Sequence, residues 1–469
     1  MVLTEEARMS DNSIEAIVAR ARTAQADYEA QGSQERYDRA AQAAAWAIME
    51  PARNRELAEL AVATTGLGNV PDKIIKNHRK TLGLMRDIKD AKTFGVVSDD
   101  ADTGIIEIAR AKGVVAAVVP STNPAATPAN NIINALKCGN AIVLAPSPKG
   151  VACAERLLEF VHAEFAKLGE DPNLVQTIPA PGSKDKTQSL MELCDMIVAT
   201  GSQNNVHRAQ TAGTPAVAVG AGNVTVIVDE TANLAAAAEK IRASKCFDNA
   251  TSCSSENAVV IVDSVYGDFI SAMAEAGGAV VDDEAGIVEK LWPGGHLNRA
   301  VIAQDADKLI AALELDLPES TEYIAVPTSG IGPDHPLSGE KLSRVLALYR
   351  AADFGEAVAT AREIQLHQGA GHSVGLHSND PDRPMVLATA MPTSRVIVNQ
   401  AHTFATGGSF TNGMPFSLSM GCGTWGGNSV NENVNYRHFM QSTKIVREIP
   451  GSEPDLDDIF AGYWAKAGK

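Results

Sequence analysis

A chain of 469 residues with 45% apolar side chains is long enough for two or three packed cores, and its net charge of −17 disfavours non-specific binding to nucleic acid. No segment approaches the roughly 18 uninterrupted apolar residues of a membrane helix, and the acidic start MVLTEEARMSDNS lacks the basic and apolar regions of a secretory signal. Six cysteines, never in a Cys-x-x-Cys pair, argue against a disulfide scaffold or a zinc ribbon, so a cytoplasmic, reducing compartment is expected, with no membrane or nucleic-acid partner.

The first hundred residues read as helices: Ile14, Ile17, Val18 and Ala21 form one apolar stripe, RYDRAAQAAAWAIM and NRELAELAVATTG continue it, and Gly66 and Gly68 supply a helix stop. Alternation replaces the helical period in TFGVVSDDADTGIIEIARAKG, which predicts a hairpin near 93–112 whose exposed edge suits assembly. From Lys112 the runs GVVAAVVP, NAIVLAP, LVQTIPA, DMIVATG and NVTVIVD read as strands of a sheet buried on both faces. Between them lie helices such as VACAERLLEFVHAEFAKLG, with Leu157, Leu158, Val161, Phe165 and Leu168 on one face. The expected fold is α/β: N-terminal helices and a hairpin over 1–111, a doubly wound domain over 112–228, a second α/β block over 229–425, and a docking tail over 426–469. That tail holds one strand, STKIVREI, and the aromatics Tyr436, Phe439, Tyr463 and Trp464.

Several segments carry chemistry. In KCFDNATSCSSENAVVIV a thiol sits among Asn, Thr and Ser just ahead of an apolar strand; structural cysteines prefer apolar neighbours, so Cys253 reads as reactive. Neither G-x-G-x-x-G after a strand nor G-x-x-x-x-G-K-[ST] occurs, so a nucleotide needs another cradle. VATGSQNNVHRA offers one, with Gly201 and Ser202 ahead of a helix start, although an ordinary strand-to-helix turn looks the same. VVPSTNPAATP puts Asn123 after a strand, either as an amide donor at the carboxyl edge of a sheet or as an Asx turn. The glycines and asparagines between Gly421 and Asn431 bring backbone close to a ligand or a crossing chain. His367, His372 and His377 repeat in steps of five, which fit neither a helix face nor a strand face, so no metal site is expected.

Taken together, KCFDNATSCSSE, EKLSRVLALYRAADFGEAV, GAGHS and SLSMGCGTWGGNS resemble the CoA-acylating branch of the aldehyde dehydrogenase superfamily, in family order from about Lys112 to Arg437. The resemblance implies a Rossmann-type cofactor domain, an α/β catalytic domain and a small oligomerisation hairpin, in a homodimer or homotetramer. Cys253 falls on the nucleophile that forms a thiohemiacetal and then a thioester, and Asn123 on the amide that holds the oxyanion. His372 falls on the histidine credited with assisting thiol chemistry. Glu340 matches the glutamate at the nicotinamide ribose, Gly201 and Ser202 the pyrophosphate turn, and Pro120 a further cofactor contact. Ser147 and Lys149 lie where the adenosine ribose binds and suit a 2′-phosphate or a solvated loop, which leaves NADP and NAD both open. Hydrolytic relatives carry a water-activating glutamate where this chain has Ala218, so coenzyme A is the implied acyl acceptor, with a hydrolytic enzyme as an alternative.

The segment NQAHTFATGGSFTNGMPFSLSMGCGTWGGNS looks most like acylating sulfoacetaldehyde dehydrogenases, which implies a small sulfonated aldehyde. Ser252, Ser254, His402 and Thr403 are the donors expected around it. Acetaldehyde, propionaldehyde and succinate semialdehyde are the alternative substrates.

Overall fold

The computed structural model describes residues 12–469, so the acidic start on which the absence of a leader was read lies, up to residue 11, outside the described residues. Four helices open the structure. Ser13, Ser33 and Asn69 each accept a hydrogen bond from the backbone N–H three residues on, and so begin α1 (Ile14–Ala30), α2 (Gln34–Met49) and, after α3 (Pro51–Thr65), α4 (Val70–Ile88). The third ends on Gly66, whose φ of 70° needs no Cβ. Their buried faces share one core with the sheet that follows, so Ile48, Leu57 and Leu84 pack with Ile132, Val143 and Leu157.

The alternating stretch forms the antiparallel hairpin β1 (Val96–Asp100) and β2 (Ile105–Ala111). Next come β3 (Val114–Val119), α5 (Ala126–Lys137), β4 (Ala141–Pro146), α6 (Val151–Leu168), β5 (Val175–Thr177), α7 (Lys184–Leu193), β6 (Met196–Thr200), α8 (Gln203–Thr211) and β7 (Ala216–Val219). The strands form a parallel sheet in the order β5-β4-β3-β6-β7. Every residue of β3 and β4 is buried, the condition their unbroken apolar runs require. Leu168, expected inward on α6, is 43% exposed at the helix end. Because the order reverses at β3, a crevice opens at the carboxyl ends of β3 and β6, where open α/β sheets bind ligands.

A second parallel sheet follows: β8 (Val224–Val228), α9 (Leu234–Cys246), β9 (Glu256–Val262), α10 (Tyr266–Glu275), β10 (Gly278–Val280), α11 (Glu284–Leu291), α12 (Ala306–Ala312), β11 (Tyr323–Pro327), β12 (Val345–Ala351), α13 (Phe354–His367), β13 (Val374–His377), α14 (Arg383–Ala390) and β14 (Val396–Val398). Its order is β10-β11-β12-β9-β8-β13-β14. Alternate residues feed two cores, Val259 and Ile261 packing with α9 and α10, and Ala258, Val260 and Val262 with α11 to α14. NVTVIVD, expected as the last strand of the first domain, is β8 and pairs with β9 and β13, so the break between sheets falls before Val224 and not at 228. The fifth strand of the first sheet is instead the shorter β7. An apolar run reports burial on both faces but not the sheet that buries it.

After α15 (His402–Thr406), the strand β15 (Met440–Val446) pairs antiparallel with β2 from Met440 opposite Ala111 to Val446 opposite Ile105. The hairpin is therefore not alone; the free edges are those of β1 and β15. Phe439 is fully buried in the first core, while α16 (Leu456–Ala467) buries none of its residues. No helix among the described residues is long and apolar enough to cross a membrane.

Candidate active site

The carboxyl edge of the first sheet faces the amino edge of the second across a cavity of about 460 Å³. From the first sheet come the loop after β3 (Pro120 to Asn123), Ser147 after β4, and Gly201 and Ser202 after β6. From the second come the loop Thr251–Ser254 ahead of β9, and Glu340 ahead of β12. One face of α4 closes the side with Lys76, Arg79 and Lys80, and Thr403 of α15 also lines the cavity.

Cys253 is half-buried, whereas the five other thiols are buried. Its Sγ lies 3.3 Å from His372 Nε2. The partner ring nitrogen, Nδ1, is 2.7 Å from Ser373 Oγ, which in turn is 2.8 Å from His402 Nε2. Burial, helped by the Arg395 guanidinium, pulls His372 down to about 3. Burial, with the Glu340 carboxylate next, pushes the Cys253 thiol up to about 12. The resting pair is thus a neutral thiol beside a neutral imidazole, with Nε2 able to take the proton when sulfur attacks. Gly222 makes this approach possible, since a Cβ there would lie 2.2 Å from Cys253 O and 3.0 Å from His372 Cδ2. A measurable consequence concerns alkylation. In cofactor-free protein, labelling of Cys253 by iodoacetamide should climb about tenfold per pH unit from about pH 7 to 9, because the thiolate fraction is far from saturation. A plateau near neutrality would instead reveal a thiolate–imidazolium pair.

Asn123 is aimed by a buried ion network. Lys76 Nζ donates to Asn123 Oδ1 (2.9 Å), to Thr251 Oγ1 (2.8 Å) and to Asp248 Oδ2, which uses all three of its hydrogens. With its oxygen taken by a cation, the amide of this cavity-lining residue keeps its NH₂ as a donor, whose one partner among the described residues is Thr122 Oγ1 at 3.5 Å. Lys73 Nζ also binds Asp248, and these charges hold the Asp248 carboxyl below its ordinary range against the opposing effect of burial. Asp248, Asn249 and Ala250 have φ of 48°, 54° and 60°, a left-handed turn that leads to the thiol. Such backbone costs about 1 kcal/mol or more per residue and persists because its side chains are pinned: Asn249 Oδ1 accepts from Arg344 Nη2 at 2.6 Å.

At the opposite end, Ser202 caps α8, so the first turn of the helix opens toward the crevice with its N–H groups. Ser147 Oγ is buried without a hydrogen-bond partner among the described residues. Glu340 is pushed up to about 8 by burial, against the pull of Lys245 and Lys341, so its carboxyl is neutral at pH 7 and both donates and accepts. A polar turn, an orphaned hydroxyl and a neutral carboxyl fit the pyrophosphate and ribose hydroxyls of a dinucleotide. Lys149 does not join them: it is exposed, lies outside the cavity, and its Nζ is 3.5 Å from Thr65 O. His402 also departs from the expectation of a substrate contact. It is 1% exposed and stands behind His372 through Ser373, because a polar stretch marks a hydrogen-bond network as readily as a cavity wall.

Ser252, Ser254 and Thr403 do line the cavity; Ser252 Oγ and Ser254 Oγ are 2.7 Å apart and satisfy each other. Ala218 lies inside β7, 2% exposed, and Gly220 and Ala221 are the residues of that turn that reach the cavity. Among the described lining residues Glu340 is the lone carboxylate. Arg79 and Lys80 were missed by the sequence reading; the signal was KIIKNHRK, whose Lys73, Lys76 and Lys80 repeat at helical spacing on one buried face. No group of three His, Cys, Asp or Glu among the described residues is arranged to hold a metal ion.

Comparison with known proteins gives this geometry a lineage. The family model described as "Aldehyde dehydrogenase family" matches residues 1–285. The acylating sulfoacetaldehyde dehydrogenase of Cupriavidus necator is 53% identical over 469 residues, covering 99% of this chain and 95% of that one. An acetylating aldehyde dehydrogenase from Geobacillus thermoglucosidasius superposes with a TM-score of 0.90 at 30% identity, covering 94% and 98% of the two chains. The propionaldehyde dehydrogenase of Rhodopseudomonas palustris, solved with bound CoA and an acylated cysteine, gives 0.82 at 26% identity over 94% and 98%. With a cysteine ahead of the central strand of one sheet facing the crevice of another, this chain belongs to the aldehyde dehydrogenase family.

Proposed function

We propose that the chain catalyses the CoA-acylating oxidation of an aldehyde with NAD(P)⁺, that the aldehyde is sulfoacetaldehyde, and that the product is sulfoacetyl-CoA. The observation that carries the reading is a thiol that lines the cavity with a buried imidazole 3.3 Å behind it, where the lone described lining carboxylate is Glu340. Identity of 53% to an acylating sulfoacetaldehyde dehydrogenase supports the substrate. CoA and an acylated cysteine in one solved relative, and NADP⁺ in another enzyme of this fold, support the co-substrates.

In this mechanism Cys253 Sγ attacks the carbonyl carbon while His372 Nε2 takes the thiol proton. The Asn123 amide and the Cys253 N–H bind the oxygen of the resulting thiohemiacetal. Collapse of that oxyanion expels hydride and leaves a thioester on Cys253, the nicotinamide supplying the hydride acceptor. Glu340, Ser202, Gly201 and Pro120 hold the cofactor, and Ser147 meets the adenosine ribose. His372 gives up that first proton to solvent. The CoA thiol then attacks the thioester while His372 takes its proton, the bond between the acyl carbon and Cys253 Sγ breaks, and His372 returns the proton to the departing Cys253 thiolate. Water competes poorly, since Glu340 is the lone carboxylate among the described lining residues and burial holds it neutral.

The test is NAD(P)H formation from sulfoacetaldehyde with and without CoA, with product analysis. Sustained turnover should require CoA and yield the thioester. Free sulfoacetate as the main product in the presence of CoA would overturn the acylating assignment.

We further propose a cytoplasmic homodimer or homotetramer. In support, α16 displays an apolar stripe to solvent, with Leu456 64%, Ile459 60%, Phe460 42% and Tyr463 65% exposed, and the strands β1 and β15 leave open edges. Light scattering should give at least twice the chain mass at micromolar concentration, and Ile459→Asp with Tyr463→Asp should lower it. A monomeric unmodified protein would refute the assembly.

A further inference from the structure

Three cations of α4 line the same cavity as the nucleophile, and their hydrogen-bond inventories differ. Lys76 is saturated and ion-paired with Asp248. Lys80 is 8% exposed; its Nζ donates to Gly407 O (2.6 Å) and Ser417 O (3.1 Å), which leaves one of three hydrogens unused. Gly407 allows this fit, as a Cβ there would lie 2.5 Å from Lys80 Nζ. Arg79 places Nη2 on Phe404 O (2.7 Å) and Gly408 O (3.1 Å), and its guanidinium sits 5.0 Å from the Phe404 ring centroid. Its Nε and Nη1 make no hydrogen bond within the described residues. Neither Arg79 nor Lys80 has a carboxylate within salt-bridge distance among the described residues, although the chain as a whole carries −17. Buried cations without a counter-ion are costly, and an anion brought by a ligand offsets that cost.

We propose that Arg79 and Lys80 form the anion clamp that selects an aldehyde with a sulfonate on the carbon next to the carbonyl, with Thr403 as its hydroxyl neighbour. The proposal rests on the reading of the site as an acylating sulfoacetaldehyde dehydrogenase and names the residues that confer that specificity. Arg79, Lys80 and Cys253 line one cavity of about 460 Å³, so the clamp faces the space that a two-carbon substrate held on the thiol occupies. The phosphates of CoA and of a dinucleotide do not meet this requirement: the pantetheine arm separates those of CoA from its thiol, and a ribose and the nicotinamide ring stand between the pyrophosphate and the hydride acceptor, so neither ligand carries an anion on the carbon next to the carbonyl. Burial draws Lys80 down to about 7, so a bound sulfonate also keeps it protonated at neutral pH. The sulfonate's three oxygens match the unused N–H groups of a fork and a point donor.

The experiment measures kcat/KM for sulfoacetaldehyde and for uncharged propionaldehyde, with CoA and cofactor, in the unmodified enzyme and in Arg79→Gln and Lys80→Met. The expected result is a fall of about 100-fold in the sulfoacetaldehyde-to-propionaldehyde ratio in each variant. If the unmodified enzyme does not prefer sulfoacetaldehyde, the substrate reading fails; if it does and the ratio survives both substitutions, the clamp alone fails. As a readout independent of turnover, 2-hydroxyethanesulfonate should slow iodoacetamide labelling of Cys253 in the unmodified protein at least threefold more than in Arg79→Gln. Equal protection in the two would overturn the clamp even if Lys80→Met proved unstable.

Discussion

Cys253→Ala should reduce aldehyde-dependent NAD(P)H formation by about 10⁴-fold or more while leaving cofactor binding and thermal stability close to those of the unmodified chain. The reasoning is local. Cys253 is half-buried at the cavity wall, so removing Sγ opens little space in a core, and the loop that carries it is held by other groups. Lys76 and Lys73 pin Asp248, and Arg344 pins Asn249, whether or not a thiol follows. Cys246 is the natural control. It is buried, its Sγ lies 3.7 Å from Glu322 O, and burial pushes its thiol up to about 11. Cys246→Ala should cost about 1 kcal/mol of stability and less than twofold in rate. Residual activity of a tenth or more in Cys253→Ala would mean that another thiol reacts, and Cys246 would be the first to test.

The strands and helices were legible because both sheets are buried on two faces, which turns their strands into unbroken apolar runs separated by amphipathic helices. The rule that sites gather at the carboxyl edge of a parallel sheet singled out Asn123, and the helix start after DMIVATG singled out Gly201; both follow strands of the first sheet and line the cavity. It does not apply to Cys253, Glu340 and His372. These precede β9, β12 and β13, because the second sheet meets the crevice with its amino edge. Their recognition came from the polar surroundings of the thiol and from resemblance. The ion network of α4 was hidden for another reason. A run such as KIIKNHRK usually marks a solvated face, and its partner Asp248 lies 175 residues from Lys73. Only the fold joins them. His402 shows the converse, a polar residue in a site segment that serves the hydrogen bonds behind the wall.

Asn123 offers the sharpest test of how that buried network contributes to rate. If Asn123 donates to the oxyanion as proposed, Asn123→Ala removes that donor and should lower kcat by about 10²–10³-fold with a small change in KM, because the ground-state carbonyl gains little from that hydrogen bond. Asn123→Asp keeps an oxygen for Lys76 Nζ, now as an ion pair, so the site stays folded and Lys76 stays partnered. Yet the carboxylate has no N–H to give, and its charge repels the developing oxyanion. The loss in kcat should therefore equal or exceed that of Asn123→Ala, at unchanged or higher thermal stability. That combination separates two roles that a single deletion would confound. If Asn123 served only to anchor Lys76, the aspartate variant would retain activity and the alanine variant would lose it. If Asn123 is the oxyanion donor, both variants lose it, and the more stable of the two is the slower enzyme.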